Sequence, residues 1–431
     1  MTDAHVRMWG REIGAVSWIP ERELGVFQYT PEFARSGIEI APITLPLRDF
    51  PYEFPALPRN TFKGLPGLLA DSLPDKWGNA IIDAWLARQG RTAESFNPVE
   101  RLCYLGRRGM GALEFEPALL GPRTHAREVD IAALVDLSGR ILNARESLRG
   151  ELHGEDDREA MENILRVGTS AGGARAKAIL DWNPQTGAFR SGQLPVGEGF
   201  QYWLFKFDGI SNNRDRELAD PAGFGRIEYA YALMAQAAGI QMSQCRLHEE
   251  GGRAHFMTQR FDRTNEGRKL HMLSLCAMAH YDFNQADAWS YEQAIAVIRR
   301  LGLGMDAIEE QVRRAIFNVL SRNQDDHVKN IAFLMNQQGH WRLSPAFDIA
   351  YAWNPGGLWT GRHQMSLAGK RDDFSRDDLL VFAATAGVRT GRAKQIIEAV
   401  VAAVQQWFEF SGTAGVDTAR AHQIAQAHRK L

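Results

Sequence analysis

Asn323-Gln324-Asp325-Asp326-His327-Val328-Lys329-Asn330, followed by Ser344-Pro345-Ala346-Phe347-Asp348, is the part of the chain whose reading decides the fold. Phosphoryl transfer from ATP needs a carboxylate near the acceptor hydroxyl. It also needs an asparagine and a second carboxylate to hold Mg²⁺ on the phosphates. The spacing Asp325-x₄-Asn330 supplies the first two groups from one loop. Ile331 to Met335 and Trp341-Arg342-Leu343 are strand-like, so a hairpin separates that loop from Asp348, the third group. Kinase-like folds separate their catalytic and metal loops in this way. Two other readings stay open on these residues alone: a solvated polar turn, and the carboxylate–histidine cluster of a metallohydrolase.

Working outward, two upstream features suit a nucleotide. Thr169-Ser170-Ala171-Gly172-Gly173-Ala174-Arg175-Ala176-Lys177 leads into a strand, and its small residues let backbone N–H groups approach phosphates. It is not a Walker A loop, because Lys177 lacks the preceding Gly and the following Ser or Thr. An ordinary β-turn remains an alternative. Lys206 stands in Tyr202 to Phe207 among Leu204, Phe205 and Phe207, where an ammonium costs desolvation unless a charge meets it. An ATP phosphate would meet it, with Glu228 on the following helix as a partner; a lysine snorkelling from an edge strand is the alternative.

The rest of the chain reads as a β-rich segment, a mixed segment and a helical one. Val6 to Gly14 gives a strand and turn, Trp18 to Tyr29 another strand pair, and Trp77 to Gln89 a helix with Trp77, Ile81, Trp85 and Leu86 on one face. Ala178 to Trp182, Tyr202 to Phe207 and Ala254 to Thr258 are strands, with a helix from Arg226 to Gly239 between the last two. Beyond Phe261 the pattern is helical except for the strand-like insert. The stripe Ile397, Val400, Val401, Val404 and Trp407 is core packing at helical spacing.

The chain has 431 residues and a net charge of −2, so whole-chain charge gives no argument for nucleic-acid binding. Its 45% hydrophobic and 24% charged content excludes a disordered or fibrous chain. Cys103, Cys245 and Cys276 form no CxxC pair, which points to a reducing compartment. No signal peptide is readable at the N-terminus and no apolar run reaches the ~18 residues of a membrane span, so the expectation is a cytoplasmic protein. Arg253, Arg260, Arg263, Arg268 and Lys269 form a basic run, expected as a solvated face. His271, Cys276 and His280 are expected to pack rather than bind metal, because Leu273, Leu275 and Met278 surround them with an apolar pattern.

These motifs together resemble the HipA family, serine/threonine kinase toxins of bacterial type II toxin–antitoxin pairs. The resemblance is carried by Phe62 to Asp75 with Trp77-Gly78, the Gly106-to-Phe115 turn and strand, and Ser170 to Lys177. It continues through Gln259-Arg260-Phe261-Asp262-Arg263, Asp325-x-His327-x-Lys329-Asn330 and Ser344 to Asp348. It implies an α+β, bilobal protein-kinase-like fold with a β-rich N-terminal subdomain over residues 1–125. A nucleotide-binding lobe over 126–262 and an all-helical catalytic lobe over 263–431 would follow.

By the same resemblance, Asp325 is the catalytic base, His327 lies beside it near the phosphates, and Asn330 and Asp348 bind Mg²⁺. Phe347 lies against the nucleotide. Lys206 holds the ATP phosphates, with Gly172, Gly173, Ala174, Arg175 and Lys177 lining them. Gln259, Arg260 and Phe261 form the hinge that meets adenine, Gln259 standing where the family commonly has Glu. Ser170 matches the serine whose autophosphorylation displaces its loop and switches the enzyme off. The implied partners are a HipB-like helix-turn-helix antitoxin, through which any DNA contact is indirect, and a protein substrate such as an aminoacyl-tRNA synthetase or another translation factor. A small-molecule phosphotransferase and a pseudokinase acting as a binding module are the rival functions.

Overall fold

Alternating burial sets the first strands. In Thr2–Met8 (β1) Ala4, Val6 and Met8 face inward, and in Arg11–Ile19 (β2) Val16 and Trp18 do so. The turn between them places Trp9 at φ 51° and Gly10 at φ 79°, the left-handed geometry of a tight hairpin. Leu24–Tyr29 (β3) pairs with β2 and Leu113–Glu116 (β4) with β1, giving an antiparallel sheet in the order β3-β2-β1-β4.

A computed structural model describes residues 2–119, 129–143, 164–165, 168, 175–191, 199–210, 222–264 and 266–431. The chain divides into two units, one of residues 1–222, 248–272 and 335–339 and the other of the remaining residues. The first unit also holds a five-stranded sheet. Lys177–Trp182 (β5), Phe189–Ser191 (β6), Gln201–Lys206 (β7), the end of Cys245–Glu250 (β8) and Arg253–Gln259 (β9) lie in the order β6-β5-β7-β9-β8. Every residue of β5 is buried. The helix Lys76–Arg88, capped by the Asp75 side chain on the Gly78 N–H, and the helix Ile131–Asn143 enter one hydrophobic core with this sheet. Trp77, Ile81, Leu137, Leu180 and Trp203 are each fully or almost fully buried there. The helix Lys76–Arg88 of the N-terminal segment and the five-stranded sheet therefore share a core.

Part of the basic run departs from expectation, although Arg268 is exposed as expected. Asp262 is wholly buried and accepts from Arg260 Nε at 2.9 Å, Arg260 Nη2 at 2.7 Å, Arg263 Nη1 at 2.7 Å and the Gly111 N–H at 2.7 Å. Lys269 Nζ reaches Glu114 Oε1 and the Arg107 carbonyl, each at 2.8 Å. Arg260, Arg263 and Lys269 are thus structural cations inside this unit, because the turn after β9 folds them back onto one carboxylate and the β4 strand. Gly111, at φ 75°, has no room for a Cβ, which would stand 3.0 Å from the Met272 nitrogen.

Burial alone would raise the Asp262 carboxyl, but Arg260 and Arg263 outweigh it and hold it well below the usual carboxylate range. A depressed folded pKa contributes stability above the unfolded value near ~3.9, and that contribution is lost as the pH falls toward the folded value. We expect Asp262→Asn to cost about 2–3 kcal/mol at neutral pH. Its unfolding free energy should also fall less steeply below about pH 4 than that of the wild type, as read by denaturant titration across pH.

The second unit is built from helices, among them Phe224–Ala237, Tyr291–Arg300, Met305–Ser321, Arg376–Thr385, Thr390–Gln405 and Thr418–Ala427. It also carries most of a short sheet in the order His271–Ser274 (β10), Ala332–Met335 (β11), Trp341–Leu343 (β12), so the insert read from sequence does form strands. Ile397, Val400, Val404 and Trp407 are buried, while the helix breaks at Gln406. His271, in the first unit, is fully buried with Nε2 2.9 Å from the Ile40 carbonyl, a packed histidine as expected. Among the described residues no helix is long and apolar enough to cross a membrane.

Candidate active site

The helix Met305–Ser321 ends at Arg322, whose φ of 59° turns the chain into an extended run. Side chains alternate sides along extended backbone, and the Asp325-Asp326-His327 triplet obeys this. Asp326 points inward with its side chain 1% exposed, whereas that of Asp325 is 30% exposed. Asp326 accepts from Tyr291 Oη at 2.7 Å and the Gln364 N–H at 2.8 Å, and shares a 2.7 Å hydrogen bond with His363 Nδ1. Burial would raise its carboxyl, but the His363 ring, the Tyr291 hydroxyl and the Gln364 N–H together hold it below its ordinary value. Asp326 is therefore the anchor of the loop, and Asp325 is the carboxylate the loop presents.

Asp325 Oδ1 accepts from Trp359 Nε1 at 2.7 Å and stands 3.8 Å from His327 Nε2. Asn330 Nδ2 donates to the Asp325 carbonyl at 2.8 Å, which turns the amide oxygen the other way. The His327 ring lies 5.4 Å from Phe283, centroid to centroid, and its buried Nδ1 has no hydrogen-bond partner among the described residues.

Asp348 reaches the same cleft by a separate scaffold. Glu310 and Arg314 form a buried pair at 2.8 Å on one helix face, and Arg314 Nη2 donates to the Ser344 carbonyl at 2.8 Å. The Ala346 N–H donates to the Gln241 carbonyl, fixing the segment on its other side. Asp348 then adopts φ 53°, a left-handed conformation that costs a non-glycine residue energy and is common at functional sites. Asn330, His327, Phe347 and Asp348 line one cleft with Asp326. An amide oxygen and a carboxylate are hard oxygen donors of the kind Mg²⁺ takes alongside phosphates. The Asn330 amide oxygen and the Asp348 carboxylate fit such a group.

In the first unit, Lys206 lies opposite Lys177 across β5 and β7, with its Nζ 5.8 Å from the centre of the Phe256 ring. Lys177 departs from its expected place. Its ammonium is buried in a 2.8 Å pair with Asp75, so the fold commits that charge to the cap of the helix Lys76–Arg88. Trp77 Nε1 donates to the Lys177 carbonyl, reinforcing the tie. Gln259 ends β9 opposite Trp203, and Phe261 is half-buried in the turn that follows. The Arg260 guanidinium is spent on Asp262, so its side chain is not available to adenine. Arg175 is described, whereas Ser170, Gly172, Gly173 and Ala174 lie outside the described residues. Glu228 is buried on the helix Phe224–Ala237 of the second unit.

Comparison with known families matches residues 169–408 to the HipA-like C-terminal domain and residues 4–116 to the HipA N-terminal domain. This chain belongs to the HipA family. Among solved structures, HipA of Shewanella oneidensis MR-1, determined with HipB and operator DNA, aligns with a TM-score of 0.68 at 16% identity, covering 98% of this chain and 94% of that one. The kinase-like HipA fold is thus shared over almost the whole length. The proinflammatory kinase CtkA of Helicobacter pylori aligns at a TM-score of 0.33 and 11% identity, over 53% of this chain and 91% of that one. A comparison with curated protein sequences gives no match.

Several residues that build this HipA-family site were not singled out in the sequence. The inward turn of Asp326 is readable from the alternation of an extended triplet, and that signal was available. Tyr291, Trp359, His363 and Gln364 lie up to 38 positions from Asp326 in residues without any motif spacing, and only the fold brings them to the loop. Asp75 is likewise invisible as a partner of Lys177, 102 positions away.

Proposed function

We propose that the chain is an ATP-dependent serine/threonine protein kinase, transferring the γ-phosphoryl group to a protein hydroxyl. The observation that carries this reading is the loop in which a part-exposed Asp325 is presented by a buried Asp326, with Asn330 and Asp348 on one cleft beside it. In this reading Asp325 orients the acceptor hydroxyl and takes its proton, and His327 stands beside the phosphates. Asn330 and Asp348 hold Mg²⁺, which when bound neutralises charge on the phosphate oxygens. Lys206 meets the ATP phosphates, with Gly172, Gly173, Ala174 and Arg175 lining them, and the Lys177–Asp75 pair fixes the start of β5. The backbone of Gln259 to Phe261 meets adenine, and Phe347 packs on the nucleotide. Catalysis is positioning and electrostatics more than bond chemistry by the protein.

The proposed partner is a HipB-like helix-turn-helix antitoxin, supported by family membership and by the HipB in the Shewanella complex, with DNA reached through it. The proposed substrate is a cytoplasmic translation factor, such as an aminoacyl-tRNA synthetase. Ser170 is the proposed site of autophosphorylation that switches the enzyme off. Incubation with Mg-ATP should add phosphate at Ser170, read by peptide mass mapping. A Ser170 peptide that stays unmodified in an active enzyme removes the switch. A thermal scan separates the binding-module rival: Mg-ATP at 100 times its Kd should add about 2.7 kcal/mol of stability. No shift with ATP favours the binding module.

A further inference from the structure

The proposed base is gripped by a residue that neither the phosphoryl-transfer chemistry nor the family motifs use. Trp359 lies in the segment 353–361, within the same unit as the catalytic loop. Its Nε1–H donates to Asp325 Oδ1 at 2.7 Å, and its ring centre stands 6.3 Å from that of His327. Trp359 is itself held. Its carbonyl accepts from Gln364 Nε2, and the Gln364 backbone N–H donates to Asp326 Oδ1 at 2.8 Å. Asp325, Trp359, Gln364 and Asp326 therefore close a ring of hydrogen bonds through the peptide bond that joins the two aspartates. The turn carrying Trp359 is tight: the Gly357 N–H donates to the Asn354 carbonyl at 2.9 Å, and a Cβ on Gly361 would fall 2.4 Å from the Gly357 carbonyl. Thr360, the next residue, is buried.

We propose that Trp359 is a positioning residue for phosphoryl transfer. Its indole N–H occupies Asp325 Oδ1 and leaves Oδ2, which has no hydrogen bond among the described residues, as the atom that takes the proton. This rests on the kinase reading above. The balance of the step is simple. The acceptor oxygen bonds to the γ-phosphorus, the bond from phosphorus to the β–γ bridging oxygen breaks, ADP leaves with that electron pair, and the hydroxyl proton passes to Oδ2. An aspartate side chain rotates about two bonds, and the indole N–H on one carboxylate oxygen restricts both while the side chain stays 30% exposed. The ring of hydrogen bonds imposes that restriction before substrate arrives, which is how a preorganised base gains rate.

Trp359→Phe keeps an aromatic ring and removes the donor. We expect turnover in γ-phosphoryl label transfer to fall roughly 10–100-fold, the equivalent of one hydrogen bond to a charged acceptor. The KM for ATP should stay within about twofold, because the contact acts on the base and not on nucleotide binding. In an Asp325→Asn background, Trp359→Phe should cost little more, since both changes disable one unit. If Trp359→Phe fails to fold, site-specific replacement of the indole by benzothiophene keeps the shape without the N–H, and the same loss is expected. Unchanged turnover, a rise in turnover (the mark of a blocking contact), a raised KM with turnover kept, or full additivity with Asp325→Asn would each overturn the inference. A wild type that binds Mg-ATP but transfers no label removes the kinase reading, and this inference with it. An active wild type with an indifferent Trp359→Phe removes the inference alone.

Discussion

Asp325→Asn should slow phosphoryl transfer roughly 10²–10⁴-fold while Mg-ATP binding persists, the loss expected of a general base. The geometry makes the substitution clean. Asparagine has nearly the shape of aspartate, and its amide oxygen still accepts from the Trp359 indole, so the loop keeps its form. Asn330 bonds the Asp325 carbonyl and not its carboxylate, so the Asn330 amide keeps its place too. What disappears is the capacity to take a proton. Calorimetric titration with Mg-ATP should give the wild-type affinity, and label transfer should give the rate. Undiminished turnover would take the base assignment away from Asp325.

The adjacent residue should behave in the opposite way. Asp326→Ala strands the Tyr291 hydroxyl, the His363 ring and the Gln364 N–H in the interior, each having lost its shared acceptor. Removing one side of a buried polar cluster costs about 3–5 kcal/mol, because the groups left behind are neither solvated nor paired. Denaturant unfolding should show that loss for Asp326→Ala and almost none for Asp325→Asn. Two neighbouring aspartates of identical chemistry are thereby separated by burial, one into stability and one into function. Equal effects of the two substitutions on stability would contradict the division.

That division also marks how far the sequence is legible. The order of Asp325, Asn330, hairpin and Asp348 was readable because residue spacing along a loop is local. So were β5, β7 and β9, whose apolar runs report burial directly, whereas β1 and β2 were read only in part, since β1 starts at Thr2 and β2 runs unbroken from Arg11 to Ile19. The helix Pro98–Leu105 announces itself through the capping box of Asn97 and Glu100, with proline at its first turn, a signal available but not used. Partners distant in sequence were a different matter. Lys177 has the look of a phosphate-facing lysine until Asp75 is seen to close on it at 2.8 Å. Arg260 and Arg263 look like a solvated basic patch until Asp262, between them in sequence, proves wholly buried. Local pattern reports whether a residue type suits a site; whether its charge is already spent depends on contacts that only the folded chain makes.

The most direct test of the central claim is the fate of the γ-phosphate. Incubated with γ-labelled ATP, Mg²⁺ and a cell lysate, the wild-type chain should place label covalently on a protein serine or threonine, with Asp325→Asn leaving that band at background. Label appearing instead on a small molecule, or an Asp325→Asn chain labelling protein as well as the wild type, would contradict the account.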